Sequence, residues 1–393
     1  MLKKIVKFLV YFIIGAFVLF NIAILVSGKL YLYKGMWNTY FKGRTGPSAT
    51  EFQIFENRKI HALSPTPISL SIFYNTKQLP EETKNILNTY ATHALVMVCR
   101  DSLLHEQYWD GYSDTSHTNS FSVSKSYVSA LLGCAFTDGH IKTIDEPVST
   151  FIPEFKEKGR EHVTLKHLVS MTSGVDFDEN YINPFAYPAE GYYGENLLEA
   201  STKYPLGEEP GKTFRYMSGN TALLGVCISK AVGKPLSDYL SERLWKELGC
   251  EQPAWWSLDK KDGYEKGFCC LNSNAKDFAR LGMLYLNNGK WKGKQVIDSA
   301  FIKQSVVPYD CNESDGCKNR TYGYSWWITS YNNLEVFYAR GILGQYIMCV
   351  PKYKLVIVKL GRERRPKLND NHCPDDVAMC IDAFEKMYPS KIN

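Results

Sequence analysis

Residues 121–136 read FSVSKSYVSALLGCAF, and the spacing Ser122-Val123-Ser124-Lys125 inside them decides how the rest of the chain is read. Residues three apart on a helix share a face, so the Lys125 ammonium can reach the Ser122 hydroxyl. A serine hydroxyl is a weak nucleophile until a neighbouring base takes its proton. A lysine partly desolvated beside it can be that base, because burial disfavours its charged form. The same spacing recurs at Ser257-Leu258-Asp259-Lys260 and Ser273-Asn274-Ala275-Lys276, and context separates the three. Ser122 leads into an apolar run that can bury a helix and fix its first turn. Ser257 lies in WWSLDKKDGYEKG, a polar run rich in turn residues. Ser273 reads as the cap of the helix that follows it.

Composition bounds the rest. The 393 residues are 45% hydrophobic and 22% charged, enough for one large two-lobed domain or two ordinary ones with a sizeable core. The formal charge is +5, but without Lys3, Lys4 and Lys7 the chain carries 43 basic against 41 acidic side chains. That balance gives no electrostatic basis for nucleic-acid binding. Phe8 to Val26 is an uncharged, apolar run of 19 residues, close to the roughly 20 needed to cross a bilayer. Three lysines precede it, while Lys29 and Lys34 follow, a bias that favours the N-terminus inside and the remainder outside. A cleaved signal peptide is the competing reading, with an apolar core of about 7–15 residues. Residues 1–27 are therefore expected to be a membrane anchor or signal segment, 28–60 a linker and 61–393 one domain.

Eleven cysteines leave at least one unpaired within the chain. Cys311 and Cys317 bracket the polar turn CNESDGC, which a disulfide would close in an exported domain. Cys373 and Cys380 lie too far apart to pair if they share one helix. Cys99, Cys134, Cys227 and Cys349 sit in apolar runs and read as small buried hydrophobes. No C-x-x-C pair and no Cys/His ligand spacing is present, so neither a metal site nor a cofactor is expected.

ALVMVCRDSLLHEQYWDGY, residues 94–112, reads as a hairpin around Arg100-Asp101-Ser102. From about 140 to 320 helical signals dominate, including TLKHLVSM closed by Gly174 and NTALLGVCISKAVG closed by Gly233. From about 323 the character returns to strands in GYSWWI, LEVFYARG, GQYIMCVP and YKLVIVKLG, before a last helix in DDVAMCIDAFEKMY. This order predicts an α/β domain built from both ends of the chain, with a helical domain inserted between them.

With these segments on the page, the chain resembles the serine hydrolases related to class C β-lactamases and penicillin-binding proteins, and within them the esterase and 6-aminohexanoate-dimer hydrolase branch. The resemblance runs through FSVSKS, DEPVSTFIPEF, TLKHLVSMTSGVDFDE, PGKTFRYMSGNTALLG, DFARLGMLYLNNGKWKGKQVI, YGYSWW and GILGQYIMCVP, in the family's order. It implies an α+β fold: an antiparallel sheet flanked by helices, with an inserted all-helical domain, here preceded by one transmembrane helix. It also implies that Ser122 is the nucleophile, and that Tyr216-Met217-Ser218 stands at the second motif, Tyr-x-Asn. Tyr216 would share a proton with Lys125 as general base and then acid. The third motif, Lys-Thr-Gly or His-x-Gly in relatives, is replaced by Gly341-Ile342-Leu343-Gly344-Gln345. The resemblance places the oxyanion donors on the backbone N–H groups of Ser122 and Gln345, with Ser218, Ile342 and Gly344 against the substrate.

An isoleucine at 342 offers apolar contact where a cation would bind the carboxylate of penicillins or stem peptides. This departure, with Ser218 in place of Asn, favours a small-molecule ester or amide without that carboxylate. A β-lactamase or DD-peptidase is the first alternative, and a catalytically silent ligand-sensing domain the second. Asp176, Asp178 and Tyr181 are expected along the cleft, the two aspartates without a catalytic role. The oligomeric state and the physiological substrate are left open by the residues alone.

Overall fold

A computed structural model describes residues 2–366 and 373–389. Its strands are β1 (Asn57–Ile60), β2 (Thr92–Cys99), β3 (Ser102–Tyr108), β4 (Thr118–Asn119), β5 (Ala254–Ser257) and β6 (Leu271–Ser273). They continue with β7 (Lys290–Trp291), β8 (Lys294–Gln295), β9 (Trp327–Tyr331), β10 (Leu334–Gly341), β11 (Gln345–Val350) and β12 (Leu355–Gly361). The helices are α1 (Leu2–Ser27), α2 (Tyr31–Asn38), α3 (Glu81–Thr89), α4 (Ser124–Thr137), α5 (Leu165–Val169) and α6 (Tyr187–Tyr193). After them come α7 (Leu197–Thr202), α8 (Ser218–Val232), α9 (Leu236–Leu240), α10 (Ala275–Leu286), α11 (Ser299–Ser305) and α12 (Asp375–Met387).

Six strands form the main sheet in the order β3-β2-β12-β11-β10-β9, every pairing antiparallel. The N-terminal hairpin β2–β3 and the C-terminal strands thus join edge to edge, as expected of a domain built from both ends of the chain. Arg100 and Asp101 turn the hairpin with φ of 50° and 60°, the left-handed conformation that two-residue hairpin loops require. Strand β2 is buried along its whole length, because both faces of the sheet are covered. Side chains alternate across a strand. Val96 and Val98 join the core with α4 and α10, while Leu95 and Met97 join the one with α12. A second sheet runs β1-β5-β6-β4.

Four expectations need correction. The stretch from 140 to 320 is not all-helical: β5 to β8 lie within it, and α10 packs on the main sheet, where Gly282 faces Ile347, Cys349 and Val356. Residues 28–60 are not a linker. Ile60 pairs with Ala254 and is fully buried, Phe55 enters the core, and α2 packs on α6. The cap of α10 is Asn274, whose Oδ1 accepts from Asp277 N–H at 2.9 Å, because Ser273 still belongs to β6. Finally, Cys311 and Cys317 remain thiols. Cys311 packs among Met171, Phe214 and Tyr322 while Cys317 faces solvent, so the turn does not bring them together. The disulfide among the described residues instead joins the neighbours Cys269 and Cys270.

Candidate active site

Ser122 lies in a 3₁₀ turn, Phe121–Val123, that runs directly into α4. Helix α4 is buried on all sides although three of its residues are serines. Their hydroxyls are satisfied: Ser124, Ser126 and Ser129 donate to the carbonyls of Gly267, Ser325 and Tyr324 at 2.9, 2.6 and 2.8 Å. These bonds clamp the helix to two other segments and leave Ser122 alone facing open space. Phe121, immediately before it, takes φ of 44°, a left-handed conformation costing on the order of 1–3 kcal/mol for such a residue. The neighbourhood enforces it. Phe121 N–H donates to Asn119 Oδ1 at 2.8 Å, and β10 closes in through Gly341, where an added Cβ would stand 2.4 Å from the Ser120 carbonyl. Only glycine lets the strand end come this near.

Lys125 is 1% exposed. Its Nζ donates to Ser122 Oγ at 3.0 Å and to the Phe268 carbonyl at 2.9 Å, and it rests 5.0 Å from the centre of the Tyr216 ring. Tyr216 enters from the loop before α8 and stacks on Trp327 at 5.3 Å. Ser218 opens α8. Its N–H and Oγ donate to the Glu179 carboxylate at 2.8 and 2.5 Å, and the Tyr181 hydroxyl donates to the same carboxylate at 2.8 Å. An acid at a helix start satisfies amides left without intrahelical partners and faces the positive end of the dipole. The Tyr181 hydroxyl is enclosed although its ring is over half exposed. Burial, then Glu179, push its pKa well above the ordinary value, so it stays a donor.

Ser122 stands where two cavities meet. One, of about 450 Å³, is apolar, with Met36, Pro188, Tyr193, Phe268 and Ile342 in its walls and Ser218 at its edge. The other, of about 880 Å³, is lined by Tyr216, Arg44, Arg340, Arg362 and Arg364. Arg340 borders this second chamber, its guanidinium 4.3 Å over the Trp327 ring. Of the residues expected against substrate, Ser218 and Ile342 line a cavity with Ser122. Gly344 does not, and Gln345, expected to act through its backbone N–H, is not among the residues lining either cavity. The Gln345 side chain is buried and donates to the Leu343 and Gly361 carbonyls at 3.1 and 2.7 Å. Gly344 turns at φ +84° against Glu363 and Lys359. It is the turn before them, Gly341 to Leu343, that borders the chamber beside Ser122.

Asp176 and Asp178 are exposed, and Asp178 only closes its own loop by accepting from Asn180 N–H and Asn183 Nδ2. Tyr181 lines both cavities with Ser122, and the loop acid that reaches the start of α8 is Glu179, which nothing in the local pattern distinguished. The Cys269–Cys270 disulfide was also missed; it follows Phe268, and Cys269 walls the apolar cavity. The adjacent cysteines were the visible signal. No group of three or more His, Cys, Asp or Glu able to hold a metal occurs among the described residues.

The wall beside this cavity rests on a buried cation. Lys266 Nζ donates to the carbonyls of Gly191, Tyr192 and Gly194 at 3.3, 2.8 and 3.3 Å, closing the C-terminal end of α6. Burial, together with the Lys34 ammonium, pulls its pKa down to about 7. The unfolded chain keeps this proton to higher pH, so the stability contributed by Lys266 rises as pH climbs from about 7 towards the unfolded pKa of about 10.4. In thermal melts the wild type is expected to gain on Lys266→Met across that interval. A difference independent of pH would contradict the shift.

Comparison with known proteins agrees with this architecture. Residues 90–374 match the Beta-lactamase family, and the chain belongs to it. A 6-aminohexanoate-dimer hydrolase of Paenarthrobacter ureafaciens is 24% identical over 302 residues, covering 72% of this chain and 76% of that protein. Among solved structures, a Bacillus anthracis protein provisionally described as a 6-aminohexanoate-dimer hydrolase superposes with a TM-score of 0.70 at 24% identity, over 87% of this chain and 92% of its own. A family VIII carboxylesterase superposes at 0.61 with 14% identity, over 82% and 99%.

Proposed function

We propose that the protein is a serine hydrolase that cleaves an ester or amide bond through an acyl-enzyme formed on Ser122. The observation that carries this reading is the 3.0 Å contact between Lys125 Nζ and Ser122 Oγ at the junction of two cavities. Ser122 Oγ attacks the carbonyl carbon while its proton passes to Lys125, with Tyr216 sharing it. The tetrahedral oxygen is held by the Ser122 N–H and by a second amide of the Gly341–Gln345 turn. Pre-aimed donors of this kind are worth roughly 3–4 kcal/mol each. The cavity borders favour the Gly341–Leu343 part of that turn over Gln345. The leaving alcohol or amine takes the proton from Tyr216, and water then releases the acid and restores Ser122. The relatives named above as a 6-aminohexanoate-dimer hydrolase and a family VIII carboxylesterase support a hydrolase reading.

In this reading residues 1–27 hold the catalytic domain at a membrane, with the domain on the outer side. Helix α1 is 26 residues long and apolar enough to span a bilayer, and its lysine-rich start favours that orientation. A fluorophosphonate probe should label the purified protein on Ser122 and leave Ser122→Ala unlabelled. Equal labelling of both would end the assignment.

Arg340 gives one observation in favour of a β-lactamase or DD-peptidase, since it is a cationic residue bordering the chamber that Ser122 also borders. Ile342 at the chamber edge speaks for the ester or amide. Turnover of a chromogenic cephalosporin separates the two, and none is expected.

A further inference from the structure

We infer that the substrate is drawn from the membrane: an amphiphile whose acyl chain fills the apolar cavity and whose anionic polar part lies in the basic one. This rests on the hydrolase reading above and adds the substrate class to it.

The first support is the division of chemistry across Ser122. On one side the walls are Met36, Pro188, Tyr193 and Phe268; on the other they carry four arginines, with Glu363 as the opposing acid. A carbonyl held at Ser122 therefore has an apolar half and a polar, anion-seeking half. Arg340 and Arg364 make no ion pair among the described residues, whereas Arg44 and Arg362 are engaged by Glu51 and Asp110. Neither of these two is neutralised there by a carboxylate, Arg340 lying instead over the Trp327 ring.

The second is the origin of the apolar wall. Tyr31, Leu32, Gly35 and Met36 of α2 form one side of the cavity, and only Gly28, Lys29 and Leu30 separate α2 from α1. Four peptide steps span at most about 15 Å, so α2 starts within or just beyond the interfacial layer of a bilayer, about 5–8 Å per leaflet. The junction is folded rather than slack. Lys29 N–H donates to the Ile24 carbonyl at 3.2 Å and the Tyr33 hydroxyl to Asn21 Oδ1 at 2.7 Å. Gly35 packs against the Tyr193 ring, and the Tyr31 hydroxyl donates to the Pro184 carbonyl at 3.2 Å. All of this wall precedes the segment that matches the family model, 90–374.

The third is the rim. Trp37, Phe41 and Ile182 are 64%, 74% and 92% exposed, and Ile182 also lines the cavity. Exposed aromatics suit the interfacial layer, and Lys29 and Lys42 on the same segment suit an anionic lipid surface. An apolar path therefore runs from the membrane-facing rim to Ser122. In the reaction the bond between Ser122 Oγ and the acyl carbon forms as the carbon–oxygen bond to the polar half breaks. That half leaves as an alcohol with its proton, and water then yields the carboxylic acid and free Ser122.

The test uses full-length protein, its N-terminus verified by mass, and matched esters: acyl groups of 2, 8 and 12 carbons on 4-hydroxybenzenesulfonate or on 4-hydroxyphenyltrimethylammonium. Burying a methylene is worth about fourfold in binding, so kcat/KM should rise more than tenfold from acetyl to octanoyl. At equal chain length the sulfonate should be preferred over the ammonium. Protein reconstituted in phosphatidylcholine vesicles that also hold the dodecanoyl ester should outpace protein in vesicles mixed with separate ester-loaded ones. Acetyl turnover that needs Ser122 but shows no gain with chain length overturns the inference and leaves the hydrolase intact. Equal rates in shared and separate vesicles, or removal of α1 in the mature protein, overturn the membrane source. No preference for the sulfonate overturns the anionic half. Absence of any Ser122-dependent acetyl turnover is a failure of the hydrolase reading itself.

Discussion

Ser122→Ala is expected to lower kcat for an acetyl ester by about 10⁴-fold or more while leaving the fold unchanged. Removing a covalent nucleophile abolishes the acyl-enzyme route, and what remains is the catalysis given by binding and the oxyanion donors. The substitution is small in structural terms. Ser122 is partly exposed at the cavity junction, and its hydroxyl accepts from Lys125 without carrying the packing of α4. Stability should therefore move by no more than about 0.5 kcal/mol. Stopped-flow measurement of the pre-steady-state burst, alongside a thermal melt, checks both halves. A variant that keeps the burst would show that another group is acylated.

Lys125→Met carries the second largest effect, a loss of about 10³-fold in the acylation rate. Methionine keeps the length and apolar stem of the side chain, so it separates chemistry from packing. Leaving the Phe268 carbonyl with one donor fewer costs about 1 kcal/mol. Replacing a buried polar side-chain end by an apolar group of similar shape acts in the opposite direction. The melting temperature should consequently stay near that of the wild type while fluorophosphonate labelling of Ser122 slows in step with turnover. Activity within tenfold of the wild type would remove Lys125 from the role of base. It would leave Tyr216, stacked on Trp327 beside it, as the group to examine.

The parts of the molecule legible beforehand share one property: their signals are local. The hairpin of β2 and β3 announced itself by apolar runs flanking Arg100 and Asp101. The ending of α8 at Gly233 followed from the left-handed turn, φ +70°, that glycine accepts readily. The misreadings share the opposite property. Residues 31–60 carry short, weak patches, yet they are held by partners nearly 200 residues away, as Ile60 is by Ala254. Likewise Gly341-Ile342-Leu343-Gly344-Gln345 gives no local indication of which backbone faces the cavity, because that depends on the close approach of β10 to Ser120.

Sequence by itself determined the family, the pairing of Ser122 with Lys125 one helical turn away, and an apolar N-terminal helix of membrane length. The family rests on a resemblance carried by segments in order along the chain, and the other two on periodicity or spacing within a few turns, where backbone geometry leaves little freedom. Tertiary structure alone decided that Glu179 holds the start of α8, that Arg340 borders the cavity, and that the segment after the apolar helix walls the space beside Ser122. Those facts arise from contacts between stretches far apart in the chain. Their energy comes from packing and burial, and neither is written in any single stretch.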